Sequence, residues 1–255
     1  MKKTISILST KKLKPALKNK AAINRIAIAD YQFIETNQLI NTSVARQIEK
    51  PTNCWVFTSK EAVNAVLQNI NTYKLELPAK LLICCLQGAT LNAVKKAGWK
   101  VLLTATSAKQ LAQMICLKDI EAVQFFCSNI RRDDLPDIIT TNGKKIKEVI
   151  VYETKLLPVI IQHNYEAVLF FSPSAVQSFF TANRLAVSIP CFCIGATTAT
   201  ALQQYTNANK IFIAETPSQQ NVLQQVEAYF TKTNKNKNND NRKDVVKRKA
   251  NYTNK

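Results

Sequence analysis

Four points along this chain place hydroxyl or small residues at the end of an apolar run, where a strand would hand over to a helix. Val56-Phe57 runs into Thr58-Ser59, and Phe170-Phe171 runs into Ser172-Pro173-Ser174-Ala175. The other two are the turns Gly88-Ala89-Thr90 and Gly195-Ala196-Thr197-Thr198. Serine and threonine accept from the free N–H groups of a helix start, proline suits the first turn, and that end of the helix dipole is positive. Small side chains there let a ligand reach the backbone. Helix starts of this kind bind carboxylates as well as phosphates. Every helix needs a cap, so one such corner is ordinary. Four of them in two matched halves point to a receptor for a polyanion.

A second group of residues offers acid, base or clamp chemistry. Arg131-Arg132-Asp133-Asp134 follows a strand that ends near Ser128, and such a cluster either grips a carboxylate or forms ion pairs at a helix start. Tyr152 ends the apolar run Val149-Ile150-Val151, as a packing aromatic or as an acid. Glu153 has no partner for paired-carboxylate chemistry, and His163 stands in the polar stretch Gln162-His163-Asn164. With one histidine in the chain, a multi-histidine metal site cannot form. The four glycines, Gly88, Gly98, Gly143 and Gly195, lie too far apart to build a G-x-G-x-x-G or Walker-type loop. No metal or organic cofactor is expected.

Bulk composition narrows the setting. The seven cysteines include no C-x-x-C and mostly sit in apolar runs, which reads as buried thiols in a reducing compartment. The apolar run near the N-terminus ends at Lys11-Lys12, too short for a signal peptide, and no stretch reaches membrane-span length, so a cytoplasmic location is expected. The formal net charge is +18. Residues 231–255 hold nine Lys/Arg against Asp240 and Asp244, a surplus of seven that leaves eleven for the rest. That Asn/Lys-rich tail reads as disordered, either plainly solvated or weakly attracted to nucleic acid. The body stays basic without it.

The elements that must hold these residues alternate regularly. Residues 54–57, 81–86, 101–103, 122–127 and 146–153 are strand-like, and helical stripes such as Val63, Val66, Leu67 and Ile70 separate them. Strands alternating with helices imply parallel βαβ units and a three-layer α/β design. The second half then echoes the first. Phe57-Thr58-Ser59 returns as Phe171-Ser172-Pro173-Ser174, the Gly88 turn as the Gly195 turn, Val101-Leu102-Leu103 as Ile211-Phe212-Ile213, and the helix at Ser107 as one at Ser218. An offset of about 108 to 113 residues marks a duplicated domain.

In this order the motifs resemble uroporphyrinogen-III synthases. The resemblance rests on Ile7-Leu8-Ser9-Thr10, Val56-Phe57-Thr58-Ser59, the Gly-Ala-Thr turns, Arg131-Arg132-Asp133-Asp134-Leu135-Pro136, Val151-Tyr152-Glu153-Thr154, Phe170-Phe171-Ser172-Pro173-Ser174-Ala175-Val176 and Cys193-Ile194-Gly195-Ala196-Thr197-Thr198-Ala199. It covers about residues 4 to 230. Lys11 stands where the family pattern often carries arginine, and Asn129 where glycine is common.

The resemblance implies two similar three-layer α/β/α domains with parallel sheets, joined by a two-stranded linker. Residues 1–29 and 155–230 would form one domain and 34–148 the inserted one, with linkers at 30–33 and 149–154. It implies a hydro-lyase that cyclises hydroxymethylbilane to uroporphyrinogen III, losing water and inverting the last ring, without metal or cofactor. Tyr152 would assist departure of the hydroxyl group. The eight carboxylates of this tetrapyrrole would be bound in an interdomain cleft of a monomer. Thr58, Ser59, Gly88, Ala89, Thr90, Ser128 and Arg131 would bind them from the inserted domain. Ser172, Ser174, Ala175, Gly195, Ala196, Thr197 and Thr198 would do so from the other. The competing readings are a non-catalytic module of the same architecture that binds a tetrapyrrole or another polyanion, and a nucleic-acid-associated protein acting through the tail.

Overall fold

The structure, a computed structural model, describes residues 3–50, 52, 54–78, 80–131 and 133–233. Along the chain come β1 (Ile5–Ser9), α1 (Pro15–Ile23), β2 (Ile26–Asp30), β3 (Ile34–Gln38) and α2 (Thr42–Ile48). Next are β4 (Cys54–Phe57), α3 (Lys60–Tyr73), β5 (Leu82–Leu86), α4 (Ala89–Lys96), β6 (Val101–Ala105), α5 (Ala108–Cys116), β7 (Ala122–Ser128) and α6 (Asp134–Thr141). The long β8 (Lys145–Leu156) precedes β9 (Ala167–Phe170), α7 (Pro173–Ala182), β10 (Cys191–Cys193), α8 (Ala196–Gln203) and β11 (Ile211–Ile213). A final helix, α9, spans residues 219–233. It includes the first three residues of the expected disordered tail, where Thr233 Oγ1 donates to the Tyr229 carbonyl. The remainder of that tail lies outside the described residues.

The chain divides into two compact units, one of Met1–Ile34 with Leu156–Lys255 and one of Glu35–Lys155. In the first, five parallel strands lie in the order β11-β10-β9-β1-β2. In the second the order is β3-β8-β7-β4-β5-β6, parallel from β8 to β6. Numbered from β4, the second sheet reads 5-4-1-2-3 with β3 added at its edge. The first sheet has the same order numbered from β9, with the N-terminal β1 and β2 completing it. The repeated motifs are therefore equivalent strand ends in equivalent sheets.

Period-2 alternation in the central strands builds a core on each sheet face. Trp55, Phe57, Ile83, Cys85 and Phe126 point into one core of the second unit, while Val56, Cys84, Phe125 and Cys127 point into the other. In the first unit Ile7, Leu169 and Phe192 oppose Leu8, Val168, Phe170 and Cys193. Strands β4 and β9 are buried along their whole length, as expected where helices cover both faces. All seven cysteines are free, and only Cys116 is not fully buried. Burial pushes the Cys191 and Cys193 thiols up to about 12.

Candidate active site

In an open α/β sheet, ligands bind beyond the carboxyl ends of the strands, at the point where strand order reverses. In the second unit that point lies between β4 and β7. Phe57, the last residue of β4, is stacked against Trp99 at 5.7 Å and against Phe126 at 5.1 Å, which fixes the exit of the chain. Ser59 then caps α3, its Oγ accepting from the Ala62 N–H at 3.1 Å. Its backbone is extended, the usual geometry of a capping serine. Thr58, just before it, is half-buried. At the end of β7, Ser128 turns the chain: its Oγ donates to the Ile130 carbonyl at 2.9 Å and accepts from the Ile130 N–H at 3.2 Å.

Tyr152 lies beside both serines. The β7–β8 register slips between Cys127 and Ser128, so Cys127 pairs with Ile150 but Ser128 pairs with Tyr152. Val151 is the extra residue, and such a bulge re-aims the side chains after it. Tyr152 packs against the aromatic core, in the neighbourhood of the Ser59 and Ser128 hydroxyls. Burial raises the phenol pKa above its ordinary value, Ser59 and Ser128 oppose that rise, and the nearby Glu61 and Cys127 reinforce it. A half-buried phenol that stays neutral is a proton donor. The Ser59 Oγ already accepts from the helix, so its own proton is available to the phenol oxygen.

Arg131 sits beside this group but is taken up internally. Its guanidinium grips Glu148 side-on, through Nε to Oε2 and through Nη2 to Oε1 at 2.9 Å, and also binds Asp133 through Nη1. Among the described residues, the Arg131 guanidinium is thus engaged by two carboxylates. Arg132 lies outside the described residues. Asn129 is bound to Thr154: its Oδ1 accepts the Thr154 N–H at 2.8 Å, and its Nδ2 donates to the Thr154 carbonyl at 3.4 Å. Sequence reasoning overlooked Glu148 and the role of Asn129. An acid within the charged start of β8 and an amide just past the end of β7 were the available signals.

The glycine corners differ in kind from the serine corners. Gly88 and Gly195 precede α4 and α8 with no side-chain cap. At α4 the first helix N–H with a partner among these corner residues is that of Asn92, on the Gly88 carbonyl. At α8 it is Thr198, on the Gly195 carbonyl. The N–H groups of Ala89, Thr90, Ala196 and Thr197 therefore have no acceptor among the described residues. Ala89, Ala196 and Thr197 are exposed, whereas the side chains of Thr90 and Thr198 are buried. In the first unit, Ser172 caps α7 through the Ala175 N–H at 3.1 Å, and Ala175 is itself buried. Pro173 has no N–H, so half-buried Ser174 carries the one left over at that start. The strand-order reversal of the first unit, between β9 and β1, brings this corner beside Thr10, whose Oγ1 donates to the Leu169 carbonyl at 2.9 Å. Ser107 and Ser218 also cap helices, but those helices follow the edge strands β6 and β11, away from either reversal.

His163 is exposed. Among the described residues no group of three or more His, Cys, Asp or Glu side chains is placed to hold a metal ion, and no helix is long and apolar enough to cross a membrane.

Two α/β units, each built on a mainly parallel sheet of one strand order, define a duplicated α/β protein. Residues 23–224 match the family described as uroporphyrinogen-III synthase HemD, and the chain belongs to that family. Its fold is similar to that of a mutant uroporphyrinogen III synthase from the extremely thermophilic bacterium Thermus thermophilus, with a TM-score of 0.73 at 16% identity over 89% of this chain and 99% of that one. It is also similar to uroporphyrinogen-III synthetase from Helicobacter pylori, with a TM-score of 0.58 at 19% identity over 88% and 99%. No curated protein matches the sequence significantly.

Proposed function

We propose that the protein cyclises hydroxymethylbilane to uroporphyrinogen III, with Tyr152 as the acid that releases the hydroxyl group. The observation that carries the assignment of Tyr152 is its register opposite Ser128 at the end of β7, beside the strand-order reversal. In the first step the C–O bond of the hydroxymethyl group breaks, its electron pair leaves with oxygen, and the phenol proton completes water. The Ser59 hydroxyl, with its proton free, stabilises the phenolate left behind. The resulting azafulvene, which keeps its pyrrole N–H proton and so carries a positive charge, is a strong electrophile, so the remaining task is positional: the substituted carbon of the terminal ring must be held against it to give the spiro intermediate. A proton returns to the phenolate as the ring system settles.

Eight carboxylates need donors, and the backbone N–H groups of Ala89, Thr90, Ser174, Ala196 and Thr197, without an acceptor among the described residues, are suited to donate to them. Buried Thr90 and Thr198 shape these corners, and Arg131 stiffens the loop after β7 through Glu148. A lyase acting on this substrate, placed in the cytoplasm, fits the composition of the chain. The test is an isomer-resolved assay. The purified protein should form the type III product faster than hydroxymethylbilane closes spontaneously to type I. Tight tetrapyrrole binding with type I as the sole product would select the non-catalytic module instead.

A further inference from the structure

Strand β7 ends at Ser128, while its partner β8 continues to Leu156. Beyond that point the backbone N–H and carbonyl of Thr154, which is buried, lose the neighbour that β7 would have supplied. The Asn129 side chain takes its place, accepting the N–H at 2.8 Å and donating to the carbonyl at 3.4 Å. A primary amide carries both a donor and an acceptor, so it can imitate one rung of a ladder. Tyr152 is the β8 partner in the last true rung, opposite Ser128, and the substitute rung at Thr154 follows two residues later. The segment that carries the phenol also contains the β8 bulge at Val151, where the ladder is locally broken and least able to hold register unaided.

We propose that Asn129 is a positioning residue for Tyr152: by extending the β7 ladder onto Thr154 it pins the bulged end of β8 and holds the phenol between Ser59 and Ser128. The effect on turnover rests on the reading of Tyr152 as the acid; the effect on the phenol's surroundings does not. Those surroundings are Ser59 and Glu61 from α3, and Cys127 and Ser128 from β7. The Arg131–Glu148 pair is separate from the clamp.

The experiment compares Asn129→Ala and Asn129→Asp in the full chain by two readouts. The first is the kcat and KM of type III formation. The second is the alkaline titration of Tyr152, followed in the ultraviolet phenolate band and isolated by subtracting Tyr152→Phe. In Asn129→Ala the expected result is a kcat lower by about tenfold with KM held, and a Tyr152 titration moved down toward that of a free phenol as burial is relaxed. Asn129→Asp keeps the short bond to the Thr154 N–H and should restore both. An unchanged Tyr152 titration in Asn129→Ala overturns the proposal, whatever happens to turnover or melting temperature. Should the alanine variant fail to fold, Asn129→Ser is read in the same way. If Tyr152→Phe keeps wild-type turnover, the acid reading fails, and the titration alone decides the role of Asn129.

Discussion

Tyr152 illustrates how one side chain takes its chemistry from its neighbours. Burial favours the neutral phenol, and Ser59 and Ser128 moderate that rise. Tyr152→Phe removes the proton and keeps the ring in the aromatic core, so kcat should fall about 100-fold with little change in unfolding midpoint. Retained turnover in the isomer assay would remove the acid role. For pH, the sign follows from the raised phenol. The acid form is present at and below neutrality, so kcat should hold across neutral pH and fall only above pH ~10. The same shift contributes stability that is complete below the free phenol's pKa and is lost as pH rises through the folded value. At this scale the sequence marked Tyr152, Ser59 and Ser128 singly, by type and by place at strand ends. It could not show that the three meet, because that depends on a one-residue slip between β7 and β8. Nor could it show that Arg131 is held by Glu148, seventeen positions away.

Among the elements, the two kinds of helix start call for opposite expectations. Ser59 and Ser172 satisfy an N–H of their own helix, so Ser172→Ala should cost about 1 kcal/mol of stability, measured by urea unfolding. Gly195 has no side chain to cap with, although its carbonyl accepts the Thr198 and Ala199 N–H groups. Its backbone is extended, with φ −174° and ψ 171°, and an added Cβ meets nothing within 4 Å. Gly195→Ser should therefore fold well and gain roughly 0.3 kcal/mol from the new cap. Because its Oγ would compete for the N–H groups assigned to substrate carboxylates, KM should rise with kcat little changed. A stabilised variant with unaltered KM would show that α8 does not bind the substrate. Gly88→Ser is the contrast: φ is +75° there, so a side chain strains the backbone and should destabilise the turn. From Cys54 onward the strands and helices were largely legible from apolar periodicity and capping residues. The difference between the two glycines was not, since a glycine reports that freedom is available and only the fold shows whether it is used.

For the whole molecule, the reporters divide cleanly between the units. Both tryptophans, Trp55 and Trp99, belong to Glu35–Lys155, while Cys191 and Cys193 lie in the other unit. Each unit has its own sheet and its own pair of cores, so unfolding should not be a single two-state event. In a urea series, tryptophan fluorescence and the alkylation of Cys191 and Cys193, located by mass spectrometry, are expected to give separate midpoints. Coincident transitions would show that the units unfold together. The sequence alone was enough for the α/β class, the duplication and the four corners, because hydrophobic period and cap chemistry are local and survive reading one stretch at a time. Tertiary structure decided which corners keep free N–H groups, where strand order reverses, and which hydroxyls reach Tyr152. Those depend on register between strands brought together from distant parts of the chain, and a one-residue slip at β8 changes them without altering any local pattern.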